Sequence, residues 1–254
     1  WTPDHTGDVE YLVLGGGASG TRGVSSYYWG AGGGAGAVEE GSLSLTAATG
    51  YNAIVGSGGG TTGVNYTETG TSEWSSSYKQ GFNGVDSSFD SVTANGGLTS
   101  IAWLTPTINN IHAAAYGGTS GNGNAGGNLG NMAHGCGGGC QAGGGGGSSA
   151  AGSGLNGGVG TTSTITGASV EYGSGGAGLN SGTTFGSSSG GAGGAGRAYG
   201  LANTGSGGSD GYGNGGEYVG NGGSGLVVIA FDNGLTINSG SARTNLTGNI
   251  TQLS

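Results

Sequence analysis

Charge is scarce in this chain. Of 254 residues, 4 are Lys or Arg and 13 are Asp or Glu, 7% in all, against a usual charged fraction of about 25%. The only bases are Arg22, Lys79, Arg197 and Arg243, and the net charge is −9. That excludes a nucleic-acid groove, where clustered cations must meet phosphates. The charge density is also too low for an ordinary acidic disordered tail. Proline occurs twice, which excludes collagen. No apolar run approaches the ~18 residues of a membrane-spanning helix, so none is expected. No leader peptide is visible, and the chain opens at Trp1, which reads as a mature or cleaved product. Two cysteines are too few to staple a fold of this size.

Glycine is what the chain has in excess, at 71 residues. An interior glycine costs an α-helix about 1 kcal/mol, so a helical bundle is excluded as well. The glycines are unevenly spread, with 45 of the 71 in 117–225 and 3 in 226–254. Three regions follow: a β-rich frame with aromatic loops at 1–116, a glycine-rich block at 117–225, and a closing strand with a polar tail at 226–254.

Short apolar runs mark the frame. Val9–Leu14 is β-branched and aromatic and stops at Gly15-Gly16-Gly17. Ser42–Ala47 alternates, placing Leu43 and Leu45 on one face. Tyr51–Val55 follows Thr49-Gly50, which reads as a hairpin turn. Ser88–Ala94 alternates as a strand, and Leu98–Leu104 reads as another, stopped by Pro106. Leu226–Phe231 is the most apolar run and reads as a buried central strand. The tail after it, with Leu235, Ile237, Leu246, Ile250 and Leu253, reads as one or two edge strands or a docking arm.

The glycine block has neither helical periodicity nor strand formers. Its two physical options are disorder and packed polyglycine II helices, which have three residues per turn. Close approach of such helices pairs backbone groups that would otherwise be buried unsatisfied. Ordering glycine is entropically expensive, so only many cooperative bonds offset it. A three-residue spacing recurs at Gly190, Gly193, Gly196, at Gly205, Gly208, Gly211 and at Gly220, Gly223, and slips at Gly213, Gly216. That pattern fits short helices joined by turns. The expected fold is therefore mainly β, a short-stranded β frame with a block of packed polyglycine II helices and almost no α-helix.

Motifs for chemistry are weak. Gly15–Gly20 fits G-x-G-x-x-G after a strand, with Glu39-Glu40 about twenty residues on. The sequence that follows cannot form the helix whose N-terminus holds the pyrophosphate, so nucleotide binding is not expected. Glu39 and Glu40 are adjacent, hence on opposite faces of a strand. Asp210 misses the calcium-binding nonapeptide pattern, and no G-x-S-x-G stands in a strand–turn–helix setting. Met132, His134, Cys136 and Cys140 lie together. Cys136–Cys140 as a small disulfide is the expectation, with free thiols or a metal held with His112 as alternatives. No catalytic residue, metal or cofactor is expected. Three N-x-T sites, at Asn65, Asn245 and Asn249, matter only in a eukaryotic secretory route.

Aromatics are the strongest candidates for recognition. Tyr27, Tyr28 and Trp29 sit between glycine-rich stretches; Tyr66, Trp74, Tyr78 and Phe82 lie in a polar insertion; Tyr199, Tyr212 and Tyr218 punctuate the end of the glycine block. Rigid aromatics on loops supply contact area at low entropic cost. Trp103, in a strand-like run, reads as core.

The order VEYLVLGGG (Val9–Gly17), GAGGGAGAV (Gly30–Val38), SLSLTAATGYNAIVGSGG (Ser42–Gly59), NGVDSSFDSVTANGG (Asn83–Gly97) and GNGGSGLVVIAF (Gly220–Phe231) resembles the glycine-rich domain at the ends of many phage tail-fibre and tail-tip proteins. It is similar, more loosely, to the detachable tail-fibre adhesins of T-even-like phages, which carry a polyglycine II sandwich. The resemblance covers roughly residues 8–231. It implies a non-enzymatic, extracellular adhesin at a virion tail tip, whose variable loops bind a bacterial surface protein or glycan and whose partners include other tail-fibre subunits or further copies of itself. Neither nucleic acid nor membrane insertion is expected. Two departures, the absence of a preceding fibre shaft in this sequence and the long tail after Phe231, leave room for a subunit of an extracellular filament assembled through that tail. Ice binding by a flat Gly/Thr/Ala/Ser face is a third reading.

Overall fold

The computed structural model describes residues 1–21, 30–60, 81–100, 116–128, 142–179, 186–193, 199–213, 216–231 and 250–253. Among these there is no α-helix, and the strands are β1 (Gly7–Leu14), β2 (Val38–Leu45), β3 (Ala53–Ile54), β4 (Ser87–Phe89), β5 (Val92–Ala94), β6 (Thr161–Ser163), β7 (Val170–Tyr172), β8 (Asp210–Gly213), β9 (Gly216–Val219), β10 (Leu226–Ala230) and β11 (Ile250–Leu253). The fold is mainly β, built from small sheets and a glycine-helix array.

The principal sheet has the order β11-β10-β1-β2. β1 runs antiparallel to β2 and β10, and β11 runs parallel to β10. Both faces are covered. Val9, Val13, Val227 and Ile229 pack with Phe89, Tyr51 and Ala94 around the three-stranded sheet β3-β4-β5. Leu12, Leu14, Leu226 and Val228 pack with Tyr172 of the β6–β7 hairpin. This two-sided burial is why VEYLVL and LVVIA read as nearly continuous apolar runs.

Three local expectations are corrected. Ser88–Ala94 is not one strand but the β4–β5 hairpin, turned at Asp90 in the left-handed region (φ 51°). Thr49-Gly50 does not join paired strands. β2 pairs with β1 and β3 with β4, and Ala48 (φ 58°) redirects the chain between the two sheets. Leu98–Ser100 is not a strand. Leu98 donates to Thr119 and accepts from Gly34, inside the glycine array.

That array has a three-residue hydrogen-bond period. Gly15, Ala18 and Thr21 donate to Ala37, Gly34 and Ala31; Gly16 and Ser19 donate to Val85 and Phe82; Gly17 and Gly20 donate to Gly223 and Gly220. Each partner number falls by three as the donor rises by three, so these neighbours run antiparallel. Successive residues face three different neighbours, which is polyglycine II geometry. Segment 15–21 also accepts from Gly59, Gly97 and Gly208, completing six neighbours. Segment 31–37 likewise donates to 95–98, 142–147 and 205–208, and accepts from 15–21, 117–121 and 173–179.

The two rings of six share 95–98 and 205–208, and they close into three layers. One outer layer runs 81–85, 95–98, 117–121, 124–128. The middle layer is 56–59, 15–21, 31–37, 142–147, 154–158. The other outer layer is 220–225, 205–209, 173–179, 186–193. Bonds such as Gly84 to Gly97, Leu98 to Thr119, Gly117 to Gly127, Gly207 to Ser174 and Ala177 to Gly193 connect neighbours within the layers. Glycine runs from 1–116 and from 117–225 are thus bonded directly to one another, and the central helices of the array come from the first region. Side chains close residual gaps. Ser87 Oγ, fully buried, accepts from the Gly56 amide at 2.9 Å.

Candidate functional site

The array has two poles. Leu14 pairs with Val38 and Leu226 in the principal sheet, so residue 15 begins at the sheet pole and Thr21 ends at the opposite one. Bonds to this central helix fix the height of everything around it.

Thr21 donates to Ala31 at 3.0 Å, so the chain leaves at residue 21 and returns at residue 30 on the far pole. The Phe82 amide donates to Ser19 Oγ at 2.7 Å, and the Ser19 amide donates to the Phe82 carbonyl at 3.1 Å. Gly59 donates to Gly17, so the ends flanking 61–80 rise to the same pole. Ser100 Oγ bonds to Thr21 Oγ1, and Gly118 donates to Gly32, which places the ends flanking 101–115 there. Gly127 donates to Gly144, Ala142 to Leu179, and Leu179 to Gly30, so the ends around 129–141 and the exit into 180–185 lie there too. The β8–β9 hairpin joins them, because Gly20 donates to Gly220 and Gly220 to Ser209. The sheet pole carries the β-sandwich, and the described ends flanking 22–29, 61–80, 101–115, 129–141 and 180–185 lie away from it.

Of the sequence-expected recognition residues, Phe82 is 42% and Tyr199 47% exposed. Phe82 stands at the foot of segment 61–80. Tyr199 precedes Gly200, whose amide donates to Asn221 at 2.9 Å. Tyr212 and Tyr218 occupy adjoining register positions on the hairpin, opposite Glu217 and Gly211. Tyr27, Tyr28, Trp29, Tyr66, Trp74 and Tyr78 lie outside the described residues, in segments whose described ends are all at the far pole. Cys136, Cys140, Met132, His134, His112 and Trp103 also lie outside the described residues.

The sequence reading missed Tyr116, which is 42% exposed and enters the array at the far pole. Its signal was available. Tyr116 directly precedes Gly117-Gly118, so it is the last side chain before a glycine helix. The G-x-G-x-x-G run at Gly15–Gly20 is the buried central helix, with no open face for a phosphate. Among the described residues no three His, Cys, Asp or Glu side chains converge, and no helix is long and apolar enough to cross a membrane.

A glycine array bonded largely through its backbone, rooted in a β-sandwich at one pole and carrying at the other the described ends of 22–29, 61–80, 101–115, 129–141 and 180–185, defines a class of glycine-rich β protein. The chain belongs to the glycine-rich domain family, whose model matches residues 1–232. No curated protein and no solved structure matches it.

Proposed function

We propose that this chain is a non-enzymatic receptor-binding adhesin of a phage tail-fibre tip, which attaches to a bacterial surface protein or glycan. One observation carries the reading: the described ends of the aromatic-bearing segments meet at a single pole, opposite the sheet. Most bonds among the described helices of the array are backbone bonds, so the frame does not depend on the identity of side chains at its rim. Such a design lets recognition sequences change on a fixed frame. Tyr and Trp concentrated in those segments, with Asn and Thr around them, suit hot-spot contacts to protein or sugar. Localisation at a virion tail tip, and other tail-fibre subunits as partners, belong to the same proposal.

The test is decoration of candidate host cells by purified protein, imaged by negative stain and quantified with labelled protein. Saturable binding to some strains, lost when 61–80 is replaced by a Gly/Ser linker, is the expected result. A protein that binds no strain of a broad host panel overturns it.

A further inference from the structure

β11 stands apart in two ways. Among the described strands it alone runs parallel to its neighbour, with Val227, Val228, Ile229 and Ala230 opposite Ile250, Thr251, Gln252 and Leu253. It also lies outside the family match, which stops at residue 232. The glycine-rich domain proper therefore ends with β10, whose other side is already taken by β1. Without β11, the outer edge of Leu226–Ala230 would be an unpaired, charge-free and proline-free strand, the kind of edge that pairs with any strand offered to it.

The tether is long enough to offer that strand elsewhere. A parallel neighbour obliges the chain to return along β10, about 13 Å for four residues at ~3.3 Å each. The 19 residues between Ala230 and Ile250 span up to about 65 Å when extended. Twelve of the 19 are Asn, Ser, Thr or Gly. A short strand held by edge bonds on a long tether has the requirements for exchange between identical chains.

We propose that the outer edge of β10 is a strand-acceptor site and that Ile250–Leu253 of a second copy fills it, the two copies exchanging tails. The edge belongs to the sheet pole, so a tail-exchanged pair leaves both far poles free. This proposal does not rest on the receptor reading, and its test involves no host cell.

Full-length Ala230→Cys protein is mixed with isotope-labelled full-length Leu253→Cys protein, oxidised, digested and read by mass spectrometry, with the unsubstituted protein as background for Cys136 and Cys140. The expected product is a disulfide joining position 230 of one isotope to position 253 of the other. Light scattering of the unsubstituted chain should show a dimer fraction that rises with concentration. Thr251→Pro/Gln252→Pro should lower the association constant at least tenfold with the melting temperature unchanged. Of two adjacent amides in a strand one faces β10, and proline removes both donors. Absence of the mixed disulfide above background overturns the proposal. So does a dimer that survives the double proline variant.

Discussion

A Cβ placed on Gly32 would stand 2.0 Å from the carbonyl oxygen of Gly176. The approach is backbone against backbone, and Gly176 is itself tied to Gly33 by an amide–carbonyl bond of 3.0 Å. Neither chain can yield without breaking bonds to its other neighbours. Glycine at such close approaches is therefore set by the spacing of the array and not by loop flexibility.

Gly32→Ala should destabilise the fold by about 1–3 kcal/mol or more, the range of core overpacking, lowering the melting temperature by roughly 2–4 °C per kcal/mol at this size. Gly50 supplies the control. It is exposed, with nothing within 4 Å of its would-be Cβ. Gly50→Ala should be neutral or stabilising by up to about 1 kcal/mol, through the unfolded chain. Thermal unfolding followed by circular dichroism compares the two, and equal losses would refute the packing argument.

Ser87→Ala isolates the side-chain bonds that complete the array. It removes the acceptor of the buried Gly56 amide, held at 2.9 Å, and leaves a donor with no partner. The expected cost is about 1–3 kcal/mol. Denaturant unfolding with an unchanged m-value should report it, and a variant as stable as the parent would show that water replaces the hydroxyl.

Much of this architecture was legible. The β1 and β10 runs announced themselves because burial on both faces demands apolar residues at nearly every position. Polyglycine II was legible from Gly220, Gly223 and Gly205, Gly208, whose three-residue spacing matches their partners at Ser209, Ser206 and Gly36, Gly33. The middle layer was not. Gly15–Gly17 sits beside a strong strand signal and reads as the stop that closes it, and Gly30–Val38 carries no spacing that marks it as a helix. Their partners lie as far off in sequence as Gly208 and Gly223, and local spacing carries no record of which helices pair. Leu98 misled for a related reason. On an outer-layer helix every third side chain faces solvent, so an apolar residue there looks like half of a strand alternation. The far pole was legible only as composition, because the height of each connection is fixed by bonds such as Thr21 to Ala31 and not by the residues within it.

If recognition sits at the far pole, Trp29→Ala and Tyr27→Ala should weaken host-cell binding about 30-fold or more where they are hot spots worth ~2 kcal/mol or more. The melting temperature should hold if these side chains serve recognition alone. Val159, 52% exposed and next to the β6–β7 hairpin at the sheet pole, serves as the comparison, and Val159→Ala should leave binding unchanged. Cell-binding isotherms on a sensitive strain decide it. Equal losses from Trp29→Ala and Val159→Ala would remove the far pole from consideration.

Hydrogen exchange should rank the amides by layer. Gly16, Ala18 and Gly20 donate to Val85, Gly34 and Gly220 on three different helices, so freeing any one amide by local opening means separating the central helix from several neighbours together. No short segment can do that alone, and these amides should exchange only through global unfolding, with protection equal to the full stability of the fold. Gly123 tests the opposite limit. Its amide donates to Ser120 within a single exposed turn, at φ +86°, and should exchange orders of magnitude faster. The outer-layer amide of Gly84, which donates to Gly97, should fall between them, because its helix borders fewer helices. Mild denaturant should then leave the central amides moving in parallel with the global transition and the Gly123 amide unaffected. If the amides of 15–20 instead exchange at the rate of Gly123, the layers open independently, and the three-layer array is not one cooperative unit.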